Sequence, residues 1–585
     1  MAVRTFTGAT GDKSINLASI EQLIIDLDAI FTQLNSTLPS TQFVSVIDYG
    51  ADETGATDST TAIQNAINAA GTGSILLFPA GSYSCGALTG VSNIEIWGWG
   101  ATIVPNIETL GPIFTFTSKS NVKIIGLNIV GTGDWTSTPF AHPDGGGNAV
   151  GFENKTVGYY FSGCTNFEIY GCKIYGIGQG IKTVSGTNIN IHDNIIDCIG
   201  ENGIYAYADT ELIINHNYIS NIKGNITSAG DVNTDNSKFA DGILSISQNN
   251  CIISNNIVHD CVRIGIVIDW DTVTQAKNVE VVSNIVHNTT GHRGTEANSC
   301  IWVESGATEE SILITGNHCY DSDQSGIVAT NGSIVSGNFV YSNTTFGIVA
   351  VDCTIKNNEI YNNANGISAS GAVGQNLKII GNTLKGNTSS GINIDALRGV
   401  CIIRDNDIED NGSGAADYHC GIWISDGHAD QKIIIDSNTF LSSASEGDTT
   451  GQLYAIRWGA SGYTTNYIWS NKFFYTGTFS SPYPTLLDVA PTELGNDTGA
   501  IVFCYGLGFW NENKNSKIPE TNMLMHISKR MRFRGYSTIG SPPSIPHRIG
   551  DFYYSDDIDA AEYIGMVCTV AGTPGTFKGF GLIQS

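Results

Sequence analysis

Charged side chains are scarce, and basic ones most of all. Lys and Arg number 28 against 55 Asp and Glu, a formal net charge of -27, and 14% of the residues are charged. Sequence-independent nucleic-acid binding depends on basic phosphate contacts, so the charge argues against it. No apolar run reaches the roughly 18 residues that a membrane-spanning helix needs, and no membrane partner is expected. The chain does not open with a charged n-region and an apolar h-region, so no secretory signal is expected and export would follow lysis or another route. The 13 Cys include no CxxC pair with zinc spacing, and they stand singly. They read as buried free thiols, and no metal site is assigned to them. A P-loop of the GxxxxGK[ST] type and a GxSxG nucleophile elbow are also missing.

What is abundant is Gly, at 68 residues of 585, with Asn and Ile spread along most of the chain. That length is too great for one compact core, so repeats or several domains are required. One unit recurs from about residue 166 to 475: an apolar strand, Asn, a second short apolar strand, a few polar residues, then a Gly-Ile strand. NINIHDNIIDCIGENGIYAY and CIISNNIVHDCVRIGIVIDW are two copies. The aligned asparagines are Asn194, Asn217, Asn256, Asn284, Asn317, Asn338, Asn358, Asn382, Asn406, Asn438 and Asn471. Their shortest spacings are 20, 21, 23 and 24 residues, and longer ones carry inserted loops. This period predicts an all-β fold, a right-handed parallel β-helix with three short strands per coil stacked about 4.8 Å apart. Apolar residues alternate within each strand, as half-buried strands require. The Asn column reads as structural, with side chains hydrogen-bonding along the axis at a turn.

The ends depart from this unit. Ile20, Leu23, Leu27, Ile30 and Leu34 follow a/d spacing and predict a short helix with a coiled-coil seam within residues 1–40. The β-helix is expected over 41–475, an irregular connection over 476–540 and a small β-rich module over 541–585.

Residues 43–83 read FVSVIDYGADETGATDSTTAIQNAINAAGTGSILLFPAGSY. The run Asp48-Tyr49-Gly50-Ala51, then Thr57-Asp58-Ser59, the helix Ala62–Ile67, Phe78-Pro79-Ala80-Gly81 and Tyr83 resembles the opening of pectate-lyase-3-type β-helix proteins, which include phage tailspikes and depolymerases. The helix would cover the open end of the β-helix, where bare strand edges would otherwise pair with other chains. The closing segment IGDFYYSDDIDAAEYIGMVCTVAGTPGTFKGFGLI is similar to small modules at the tail of such phage proteins. The resemblance implies a homotrimer on a virion tail and an activity directed at a bacterial cell-surface glycan. It does not identify the reaction, because the fold hosts hydrolases, lyases, epimerases and inert binders, and the opening motif holds no catalytic residue to carry over.

A site is therefore sought in the outward columns of the Gly-Ile strands. The first runs Lys182, Tyr205, Leu244, Val267, Trp302, Val328, Val349, Ser368, Asn393, Trp423 and Arg457. The second holds Val184, Tyr207, Ile246, Asp269, Glu304 and Thr330. Asp269 and Glu304 fall on consecutive coils, roughly 5 Å apart at the backbone. A carboxyl pair that close suits acid–base chemistry on a glycosidic bond. Asp271 is expected as an auxiliary acid. Trp302, Tyr205 and Tyr207 offer aromatic faces to the apolar C–H faces of a sugar. The longest insertions surround these coils, and the loop 289–299 adds His292 and Arg293 as substrate-binding residues.

Weaker candidates are Asp395 with Asp426 near Trp423, and the loop 131–156 with Trp135, His142 and Asp144. A polygalacturonase-type set is not matched: Asn233-Thr234-Asp235 lies in an insertion, Trp270 separates Asp269 from Asp271, and Gly291-His292-Arg293 is not Gly-His-Gly. The expected activity is glycoside hydrolysis without a cofactor. One alternative is a uronate lyase, with calcium on Asp269, Asp271 and Glu304 and Arg293 or Arg263 as base. Another is a receptor-binding spike that grips sugar without cleaving it.

Overall fold

The computed structural model describes most of the β-helix: 43–71, 73–106, 111–131, 156–223, 240–270, 276–290, 298–304, 311–330, 332–370, 376–395, 399–412, 420–424, 432–443 and short strands on to 503. It also describes the strands Arg4–Phe6 and Lys13–Ile15, and a separate set between Met525 and Leu582. The positions expected to form the coiled-coil seam, Ile20 to Leu34, lie outside the described residues.

The chain winds as a parallel β-helix with three strands per coil. Each strand pairs in parallel with its equivalents one coil before and one coil after. Three long sheets result. Sheet A runs from Leu88–Thr89 to Leu487–Asp488, sheet B from Phe43–Ser45 to Ile501–Phe503, and sheet C from Thr54–Asp58 to Lys472–Tyr475. The described pairing thus runs on past residue 475. A five-stranded sheet joins Met525–Ile527, Met531–Tyr536, Asp551–Tyr554, Tyr563–Val570 and Thr576–Leu582.

Inward columns of Ile, Val and Leu form one continuous core, with Ile181, Ile204, Ile243, Ile266, Ile301 and Ile327 fully buried. Full burial of such a side chain stabilises by about 1.5–3 kcal/mol, which each coil gains several times over. Near the N-terminal end the filling is aromatic: Phe116 stacks on Phe161 at 5.0 Å, and Phe114 on Tyr159 at 5.6 Å. The Gly of the Gly-Ile strand is a packing requirement. A Cβ on Gly242 would lie 2.2 Å from Val258 Cγ1 and 2.6 Å from the Gly265 carbonyl oxygen of the next coil.

The Asn column is a buried ladder from Asn194 to Asn471. Each Nδ2 donates to the Oδ1 of the next Asn, for example Asn284 to Asn317 at 3.0 Å and Asn317 to Asn338 at 3.0 Å. The same Oδ1 accepts the preceding coil's backbone N–H, and the spare Nδ2 proton goes to a strand carbonyl. The ladder asparagines, at 0–3% exposure, thereby bury their side-chain amides with hydrogen-bond partners. A second, shorter ladder, Asn343–Asn363–Asn387–Asn411, serves the turn from sheet C to sheet A and was not foreseen.

The N-terminal motif closes the first coil. Helix α1 (Thr60–Ala70) turns Ile63, Ala66, Ile67 and Ala70 into the core. Asp52 accepts from the backbone N–H and hydroxyl groups of both Thr54 and Thr57, which holds its carboxyl well below the usual range. Tyr83 is buried and donates to the Pro79 carbonyl at 2.8 Å. The described cysteines are all buried free thiols.

Candidate functional site

The registers of sheet A reproduce the first outward column residue by residue, from Lys182–Tyr205 to Trp423–Arg457. They extend it back to Tyr160 and on to Asp488. In the second column Val184, Tyr207, Ile246 and Asp269 are stacked on successive coils. The ladder between the next two strands ends at Ile268–Val303, and the Glu304 N–H then donates to the Ile268 carbonyl at 2.9 Å. Asp269 and Glu304 are therefore the two residues just beyond the last pair, on neighbouring coils.

The two carboxylates sit differently. Asp269 is half-buried, and its Oδ1 accepts the Trp270 N–H at 2.7 Å. Glu304 is exposed, and its Oε2 accepts the Trp302 indole N–H at 2.9 Å. Beside them lies an apolar patch on the outer face, separate from the core. Leu244, Ile264 and Val267 are its buried members, with Tyr205, Ile246 and Trp302 packed around them. The sequence-predicted Tyr205 and Trp302 thus meet one patch, while Tyr207 stands two coils before Asp269 in the same column. Lys182 lies over the Tyr205 ring at 4.7 Å, and Arg457 over Trp423 at 5.0 Å. Asp271, His292 and Arg293 lie outside the described residues, as do Asp426, Trp135, His142 and Asp144. Asp395 is exposed. Among the described residues no three His, Cys, Asp or Glu side chains gather as metal ligands, and no helix is long and apolar enough to cross a membrane.

The column reading missed a buried ion pair beside this patch. Arg263 Nε and Nη2 donate to Asp241 Oδ1 and Oδ2 at 2.8 and 2.9 Å, with the Asp241 side chain fully buried. Burial pushes the Asp241 carboxyl up to about 6, Arg263 opposes the shift, and the charge of Asp269 adds to it.

Two family models match the chain: a right handed beta helix region over residues 241–408, and a rhamnogalacturonase A/epimerase, pectate lyase-like model over residues 43–291. The fold is a pectate-lyase-like right-handed β-helix. No curated protein matches the chain by sequence. Solved structures of similar fold include the Dettilon tailspike protein, at 18% identity and TM-score 0.39 over 76% of this chain and 70% of that one. A tailspike mutant of E. coli bacteriophage HK620, in complex with a hexasaccharide, matches at 13% identity and TM-score 0.49, covering 81% of each chain. A GH87 alpha-1,3-glucanase from Streptomyces thermodiastaticus matches at 16% identity and TM-score 0.37 over 75% of this chain and 68% of that one.

Proposed function

We propose that this chain is a tailspike-like depolymerase of a virion tail. It binds a bacterial cell-surface polysaccharide along sheet A and cleaves it by glycoside hydrolysis with Asp269 and Glu304. The observation that carries the reading is the pairing of Glu304 with the Trp302 indole beside Asp269, at the edge of an outer apolar patch. A sugar ring needs both elements, an apolar face to lie on and carboxyl groups at its glycosidic oxygen and anomeric carbon.

One carboxyl, protonated, gives its proton to the leaving oxygen. The other, ionised, either attacks the anomeric carbon or takes a proton from the attacking water. Equivalent positions on adjacent strands lie about 4.8 Å apart, which leans toward the shorter carboxyl separation and retention. Asp271 is the auxiliary acid, and His292 and Arg293 complete the substrate-binding set. The working assembly is a homotrimer.

The competing lyase reading needs a base. Arg263 is committed to Asp241 through two hydrogen bonds and is a poor one, which leaves Arg293. Incubation with a panel of bacterial surface glycans, with and without a calcium chelator, separates the two. New reducing ends without unsaturated-uronate absorbance, insensitive to the chelator, are the expected result. Calcium-dependent growth of that absorbance would establish a lyase instead, and a glycan that binds uncleaved would leave a receptor-binding spike.

A further inference from the structure

Of the eleven large apolar side chains exposed among the described residues, seven fall in two columns. On sheet C, Ile195, Tyr218, Ile257 and Ile285 stack on successive coils at 38–47% exposure. His318 and Phe339 continue that column. On sheet B, Ile213, Ile252 and Ile334 share one column at 37–39% exposure, with Glu280 and Leu313 between them. Single exposed apolar residues are ordinary, but a row of them marks a contact surface; the sheet C row is unbroken, and Glu280 is the one charged residue in the sheet B row.

Both rows flank the same corner. Ile213 precedes and Tyr218 follows Asn217, while Ile252 and Ile257 bracket Asn256 in the same way. The buried Asn ladder fixes this turn, and left-handed residues such as His216 at φ 53° and Asn255 at φ 55° make it sharp. Beside the apolar row of sheet C, the rings of His259, His287, Tyr320, Tyr341 and Tyr361 stack in sequence at 4.7–4.8 Å. Rings held by their neighbours lose little freedom on binding, which lowers the cost of docking on this face.

The form of the rows identifies the partner. Teeth repeating about every 4.8 Å along a straight line are matched by another stack of coils with the same repeat. Charge points the same way. The chain carries -27 overall, yet the column from Ile195 to Phe339 contains no Asp, Glu, Lys or Arg. Like-charged copies meet most easily there, and charge depletion marks the centre of interfaces. The sheet C row is about 24 Å long and the sheet B row about 19 Å, and with a width of about 15 Å the two faces of one copy give roughly 650 Å², within the range of about 600–1,000 Å² per side of specific interfaces.

We propose that copies of this chain pack side by side, sheet B of one against sheet C of the next, with the Asn-ladder corner turned to their common axis. Unlike faces generate a closed ring when the rotation between copies closes, which three copies sharing one corner axis satisfy. The inference rests on the homotrimer of the preceding reading and assigns its surfaces.

The test measures the mass of the full chain by light scattering and sedimentation, for the native protein and for Ile252→Arg, Ile257→Arg and Ser368→Arg on sheet A. A trimer is expected for the native chain and for Ser368→Arg. Ile252→Arg and Ile257→Arg should each give monomers with an unchanged β-sheet circular dichroism spectrum. A second arm treats Ile252→Cys, Ile257→Cys and the double variant with a short bismaleimide. Covalent trimers from the double variant alone are expected. A native trimer that both Arg variants leave intact, or covalent dimers from a single-cysteine variant, would overturn the assignment of faces. A native monomer would overturn the trimer reading itself.

Discussion

The Trp302 indole N–H donates to the Glu304 carboxylate at 2.9 Å, across the one residue, Val303, that separates them in sequence. Both side chains therefore leave the same face of sheet A, and the ring that would carry a sugar also orients the carboxylate that would act on it. Trp302→Phe keeps an aromatic face and removes the donor. It should lower kcat about 10- to 100-fold with little change in KM, since hydrogen bonds to charged groups are worth about 1.5–3 kcal/mol. Trp302→Ala should raise KM as well. Steady-state kinetics on the cleaved glycan check both.

The Asp241–Arg263 pair is expected to be structural. Arg263→Met leaves a buried carboxylate without its cation and should destabilise by about 3–5 kcal/mol. Asp241→Asn combined with Arg263→Met should recover most of that loss, because no charge remains buried. Denaturant midpoints of the single and double variants decide this, and equal losses in both would contradict it.

Asp209 gives the fold a pH dependence. It is buried, accepts from the Thr183 hydroxyl at 2.5 Å and the Gly186 N–H at 2.7 Å, and burial raises its carboxyl to about 6. Below about pH 4 the group is protonated in both folded and unfolded chains, and its stabilising contribution is complete. As pH rises toward and through 6 the unfolded chain loses the proton first, so that contribution is lost, on the order of 2–3 kcal/mol. Asp209→Asn should flatten this segment of the stability–pH curve and be more stable than the native chain at pH 7. Unfolding midpoints at several pH values measure it.

The Asn ladder should tolerate loss at its end better than in its middle. Asn317→Ala removes the acceptor of the Asn284 backbone N–H and Nδ2, and the donor to Asn338. Buried orphans cost about 1–3 kcal/mol each, so a loss of about 2–5 kcal/mol is expected. Asn471→Ala, at the end of the described ladder, should cost less. Thermal or denaturant unfolding of the two variants compares them.

The coil and its Asn ladder were legible because both follow a fixed order in the sequence, apolar strand, Asn, apolar strand, Gly-Ile. The same order placed Asp269, Trp302 and Glu304 in the right columns. Asp241 and Arg263 escaped notice because they pair diagonally: Asp241 is level with Ile264, one residue past Arg263. A column alignment never sets such residues side by side. The second ladder escaped because it begins only at Asn343, where the preceding coils carry Ile222, Cys261, Thr289 and Ser322. Asp271, His292 and Arg293 belong to insertions, which have no period for sequence reasoning to use.

The measurement closest to the central claim compares the native chain with Asp269→Asn and Glu304→Gln on a glycan that the native chain cleaves. Reducing-end release should fall by several orders of magnitude in each variant, while binding of the intact glycan and the β-sheet circular dichroism spectrum persist. Cleavage surviving in both variants would contradict the account and move the catalytic groups away from this pair.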